Sequence, residues 1–291
     1  MLFALLVTLR EGLEIALIVT ILLGYLRKID QKRHFREIWM GVGCAVVLAV
    51  AFGAALEITS RELSGRVLEA FEGTTMLFAV AVLTWMVFWM KRQAAGISGE
   101  LRHQIDTALS GGSVIALALL AFSAVAREGF ETTLFLFAGS TNTSGAEFVG
   151  GGIIGFVIAG IAGVVLYYGA ARLPLKQFFL ASGVVVILLA AGLLSNGLDK
   201  LQAAQIITNL GARPWDFESS LSMSSTLGKF LHTVLGYEAT PAMAQIIAYF
   251  GYVIVVLGAY LLLPTGKPPQ TVSVESPPIN DARTRELSAK T

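Results

Sequence analysis

Near residues 2–26, 36–57, 69–90, 113–138, 149–171, 178–198 and 243–264 the chain stays apolar for long enough to cross the ~30 Å hydrocarbon core of a bilayer. Seven such runs leave few folds open. No water reaches the backbone N–H and C=O groups in lipid, so each span must satisfy its own, and helices do this where open strands do not. Only 14% of residues are charged, against about 25% in a soluble domain. The sequence therefore predicts an all-α polytopic membrane protein with seven transmembrane helices. The first run is not a signal peptide, because Arg10, Glu11 and Glu14 interrupt it and no basic segment precedes it.

Basic residues set the expected orientation. Loops 27–36, 91–112 and 172–176 and the tail hold 14 Lys and Arg, while the opposite loops hold 5 (Arg61, Arg66, Lys200, Arg213 and Lys229). The positive-inside rule then places the N-terminus outside and the C-terminus in the cytoplasm. Trp39, Trp85, Trp89, Tyr167 and Tyr168 fall at cytoplasmic helix ends, where an aromatic belt is expected. Residues 1–264 form the membrane domain, with 199–242 a long outer loop in which 200–210 and 225–236 have the look of short interfacial helices. Residues 265–291, rich in Pro, Ser and Thr, read as a disordered cytoplasmic tail.

Net charge of +1 gives no basic field for nucleic acid. One cysteine, Cys44, excludes an internal disulfide and multi-cysteine metal sites, and is expected to pack in its apolar run. The three histidines are scattered outside the runs, and no ATP-binding motif is present. In the fifth run Gly151, Gly155, Ala159 and Gly163 recur every four residues, a small-residue stripe for close contact within the chain or in a homo-oligomer.

Two clusters of charge defy the surrounding apolar sequence. Arg10-Glu11-Gly12-Leu13-Glu14 sits in the first run and Arg127-Glu128-Gly129-Phe130-Glu131 in the fourth. Each charged side chain at mid-membrane costs about 3 kcal/mol on insertion scales, so neither pentad is there by accident. Within a helix the two glutamates, three apart, share a face, and the arginine and second glutamate, four apart, can pair. That pairing leaves Glu11 and Glu128 unexplained, and each pentad carries a net charge of −1. Surplus buried carboxylate points to a cation site. At 1.5 Å per residue, Glu11 and Glu14 lie roughly 13–18 Å below the outer surface and Glu128 and Glu131 roughly 10–15 Å. Motifs at one depth on antiparallel helices indicate an inverted repeat, about 1–90 against 113–198, with the seventh helix added, and transporters place substrate at such repeat interfaces.

Glu69 and Glu72, three apart at the outer end of the third run, and Asp199 at the end of the sixth extend the candidate pathway. Asp216, Glu218 and Glu238 add acid to the outer loop, as a cation funnel or simply a solvated loop. All these ligands are carboxylate oxygens, which suit hard cations such as Fe³⁺, Mg²⁺, Ca²⁺ or Mn²⁺ over copper(I) or zinc.

The doubled Arg-Glu-Gly-x-Glu pentad on the first and fourth of seven helices resembles the oxidase-dependent iron permeases, over about residues 1–264. The resemblance implies Fe³⁺ uptake across the cytoplasmic (inner) membrane, with Glu11, Glu14, Glu128 and Glu131 handling iron and Arg10 and Arg127 as motif arginines. Glu69 and Glu72 resemble a feature of that family's third helix. Iron is then cargo, with no resident cofactor. Implied partners are periplasmic iron-binding and peroxidase-like proteins or an oxidase, and the length and short tail resemble bacterial members. Alternatives are a permease for Mn²⁺ or Pb²⁺, a purely structural membrane subunit, and a di-iron carboxylate enzyme, which usually needs Glu-x-x-His pairs that the pentads lack.

Overall fold

The computed structural model describes residues 1–93, 97–110, 114–140, 145–169, 175–208, 211–214, 216, 225, 228, 231–232 and 236–263. The expected tail 265–291 lies outside them, as do Glu218 and most of 225–236. Among the described residues the regular structure is helical: α1 (Leu2–Lys28), α2 (Phe35–Glu62), α3 (Gly65–Gln93), α4 (Ile97–Ser110), α5 (Val114–Ser140), α6 (Gly145–Tyr167), α7 (Leu175–Ala203) and α8 (Met243–Leu262). Five stretches are long and apolar enough to cross a membrane: Lys32–Glu62, Gly65–Arg92, Gly145–Tyr167, Leu180–Ala203 and Met243–Leu262. Helices α1 and α5 are also 27 residues long, and it is these two that carry the pentad charges.

Three pairings build the bundle: α1 on α6, α2 on α5 and α3 on α7. Small residues set the first two. A Cβ on Gly12 would lie 2.8 Å from Ala159 Cβ, and one on Gly129 would lie 2.8 Å from Ala49 Cβ. The glycine at the centre of each pentad therefore lets a neighbouring helix touch the motif's own backbone turn, where any side chain would hold it off. The α6 stripe is seated on α1, with Gly151 at Met1, Gly155 at Leu5 and Thr8, and Gly163 at Ala16. Its partner is thus inside the chain. A matching stripe in α2, not singled out from sequence, runs Gly41, Ala45, Ala49, Gly53 along α5; Gly41 abuts Ala118 and Gly53 abuts Thr133. Alanines dilute this stripe and hide it among ordinary apolar residues.

Helices α1 and α5 run antiparallel between two apolar clusters. Phe3, Ala4 and Val7 pack with Leu134, Phe135 and Ala138, while Leu22, Leu23 and Leu26 pack with Leu117, Ala121 and Val125. Both pentads lie in the layer between. The outward faces of α2 and α6 keep Val47, Val50, Ile153 and Ile161 exposed, the surface expected against lipid. Cys44 belongs to that outward face and is exposed. The expectation that it packs inside fails because α2 presents only its narrow small-residue stripe to α5.

Two further departures have simple causes. Residues 97–110, read as loop, form the amphipathic helix α4, whose Leu101 and Ile105 close the second cluster. Polar residues outnumber apolar ones there, so a span-seeking reading passes over it. Of the segment 200–210, the described residues 200–208 form no separate helix, because α7 runs on to Ala203 before turning at Gln205, whose φ is 59°. The α2–α3 corner is tight, with Gly65 at φ 56°, a left-handed conformation that suits glycine. In α8, Val253–Leu257 is a π-helical turn, and Lys91 covers the helix end, donating to the carbonyls of Tyr260 and Leu263.

Candidate cation site

Helix α1 brings Glu11 and Glu14 to the middle of the bundle and α5 brings Glu128 and Glu131. All four are buried, Glu128 completely, with Arg10 buried beside them. A carboxylate removed from water needs a partner of opposite charge or a full set of hydrogen bonds. Each arginine supplies part of that. Arg10 Nη1 lies 2.5 Å from Glu11 Oε1 and its Nη2 lies 2.9 Å from Glu14 Oε1. Arg127 Nη2 lies 2.5 Å from Glu128 Oε1, and its Nε stands 3.6 Å from Glu131 Oε1.

The pairing differs from the one that spacing alone suggested. In both pentads the arginine holds the adjacent glutamate more closely than the one four residues on. The planar fork of the guanidinium reaches sideways as well as along the helix, and it takes both. Glu11 and Glu128 are therefore not without partners. One oxygen of each is: Glu11 Oε2, Glu128 Oε2 and Glu131 Oε2 are buried with no hydrogen bond. The nearby hydroxyl of Thr132 does not help, since it donates to the Glu128 carbonyl.

Those three residues converge. Glu11, Glu128 and Glu131 each offer a carboxylate oxygen, and the three oxygens lie within 4.8 Å of one another. Three negative groups at that spacing in a low-dielectric layer repel strongly unless a positive charge sits among them. A metal cation with oxygen ligands meets that need. Glu14 stands on Arg10 instead of joining the three.

The outer candidates are placed elsewhere. Glu69 and Glu72 both face Lys200 of α7, whose Nζ lies 2.9 and 2.8 Å from their Oε2 atoms. Sequence reasoning counted Lys200 only as a loop charge, although it directly follows Asp199 at a helix end. Asp199 itself is exposed. Glu238 is half-buried in a cavity of about 360 Å³ lined by Leu231, Gly236, Gln245 and Tyr249. Burial pushes its carboxyl above the usual range, with His232 opposing. Trp89, expected in the aromatic belt, instead lies under Arg127, whose guanidinium carbon is 4.1 Å from the ring centroid.

The fold is that of a helical membrane protein with two glycine-centred charge motifs held between apolar layers. The chain matches the Iron permease FTR1 family over residues 1–266 and belongs to it. It is 35% identical over 261 residues to the ferrous iron permease EfeU of Yersinia pestis, covering 89% of this chain and 93% of that protein. It is 33% identical to the proteins of the same name from Escherichia coli O6:K15:H31 (strain 536) and Shigella sonnei, covering 89% of this chain and 95% of each. No solved structure matches. The chain is thus a multi-pass helical membrane protein of a permease family, not an enzyme.

Proposed function

We propose that this protein carries Fe³⁺ across the cytoplasmic membrane through a single site built from both pentads. The observation that carries this is the convergence of three buried glutamates from two helices, each of which has one oxygen with no hydrogen bond. Iron exchanges water for the oxygens of Glu11, Glu128 and Glu131, while Arg10 and Arg127 offset part of the negative charge when no cation is bound. Glu14 takes over from Glu11 as ligand when Arg10 shifts. Glu69, Glu72 and Asp199 line the outer approach, with Lys200 exchanging against the arriving cation.

The architecture proposed is seven spans, with α1–α3 and α5–α7 as inverted repeats and α8 added. Two features support it. Exchanging the repeats turns the α1–α6 pair into the α5–α2 pair and returns α3–α7 to itself, and these are the three main packings. The two small-residue stripes also occupy equivalent places, each against the other repeat's pentad helix. Alternating access by rocking one repeat on the other follows from that arrangement.

The orientation, N-terminus outside, rests on the basic residues of 27–36 and on Tyr25, Arg102 and Asp106, which cluster at the same end. With Gln31→Cys in a Cys44→Ala background, an impermeant thiol reagent should label only after the membrane is opened; labelling of intact cells would reverse the orientation. The partners inferred are periplasmic iron-binding and peroxidase-like or oxidase proteins.

A ferrous reading has its own support, since the relatives are named ferrous iron permeases. Hard carboxylate ligands favour Fe³⁺, though the same oxygens also bind Fe²⁺. Radioactive iron offered to proteoliposomes as Fe³⁺ and as Fe²⁺, with Mn²⁺ and Pb²⁺ as competitors, decides among them. Uptake of Fe³⁺ with little competition is expected. Transport of Fe²⁺ alone would move the valence, and stronger uptake of Mn²⁺ or Pb²⁺ than of iron would overturn the cargo.

A further inference from the structure

A buried guanidinium has five N–H donors to place, and where it places them decides how much of each carboxylate is left over. Arg10 and Arg127 both reach beyond their own helices to α3. Arg10 Nη1, already on Glu11, also donates to Met86 Sδ at 3.1 Å, and Met86 is only 1% exposed. Arg127 lays its guanidinium over the Trp89 ring. Met86 and Trp89 are three residues apart on one side of α3.

Both supports are weak and neutral. A thioether is a poor acceptor, and an aromatic face attracts a cation without taking its hydrogen bonds. A carboxylate or amide at either place would draw the arginine off the glutamates. A plain aliphatic would leave the arginine nothing but the glutamates to hold. A thioether and an indole stand between these extremes. They fix each guanidinium against the Oε1 edges and keep it from closing over the Oε2 edges, which are the unpaired ones.

We propose that Met86 and Trp89 are positioning residues of the cation site, through which α3 sets how far the two motif arginines compete with the cargo. The inference rests on the cation reading of the pentads. It assigns chemistry to a helix that contributes no ligand to the cluster of three. It also explains why a tryptophan and a methionine, both ordinary as lipid-facing or core residues, lie against the two motif arginines, Arg10 buried and Arg127 partly exposed.

The test is iron uptake by proteoliposomes holding wild-type protein, Met86→Leu, Trp89→Leu or Trp89→Phe, with KM, maximal rate and melting temperature measured for each. Losing the ring's attraction lets Arg127 settle on Glu128 and Glu131, so Trp89→Leu should raise KM roughly three- to thirtyfold. Melting temperature and maximal rate should change little. Trp89→Phe, which keeps a π face, should recover most of the affinity. Met86→Leu, similar in volume, should raise KM several-fold through Arg10. Wild-type KM in both leucine variants overturns the proposal, as does a fall in melting temperature and maximal rate at unchanged KM, or failure of Trp89→Phe to recover. Absence of iron uptake by the wild-type protein would instead bring down the cation reading itself, and this inference with it.

Discussion

Glu11→Gln and Glu128→Gln should each reduce iron uptake on the order of 100-fold while the protein still inserts and accumulates. Glutamine keeps the volume and an oxygen acceptor but removes the charge, so the bundle loses little packing. The cation loses one of three buried, charged ligands. Arg10→Gln should behave differently. Arg10 pairs with both Glu11 and Glu14, and removing one partner of a buried pair costs roughly 3–5 kcal/mol because the other charge is left alone. Accumulation and thermal stability should fall together with transport. Uptake and protein level are measured in the same membranes, so the two effects separate. Glutamine variants that accumulate poorly but transport normally per molecule would make the pentads structural.

How much of this was legible depends on what kind of signal each residue gives. The pentads stand out because six charges interrupt apolar runs where each is costly, and that cost is visible without a structure. Helix spacing also put the glutamates of each pentad on one face. It gave the partner four residues on but not the adjacent one, since a fork that reaches sideways to Glu11 or Glu128 has no periodic signature. Cys44 was misplaced for a related reason: an apolar run says that a residue is in the membrane, not which way it faces. Lys200 was read as a loop charge, yet it bridges Glu69 and Glu72 from another helix, a contact 128–131 residues apart in the chain. Met86 gave no signal and Trp89 only that of an aromatic belt, because both residue types are common in any membrane helix and only their neighbours distinguish them.

Whether the two pentads make one site or two is decided by additivity. The structure puts Glu11 of α1 within ligand distance of Glu128 and Glu131 of α5, while Glu14 leans on Arg10. Glu11→Gln and Glu131→Gln should therefore each remove most iron binding, and the double variant should be hardly worse than either. Residues that share one ion are strongly coupled, whereas sites more than about 7–10 Å apart with no shared partner contribute independently. Iron binding to purified protein, titrated for the wild type, both single variants and the double variant, gives the coupling directly, and stoichiometry adds a second reading. One ion per chain with strong coupling is expected. Two ions per chain, with each variant removing one and leaving the other's affinity untouched, would mean that each repeat holds its own cation. The antiparallel meeting of α1 and α5 would then serve packing alone, and cargo would have to pass from one repeat to the other instead of being held between them.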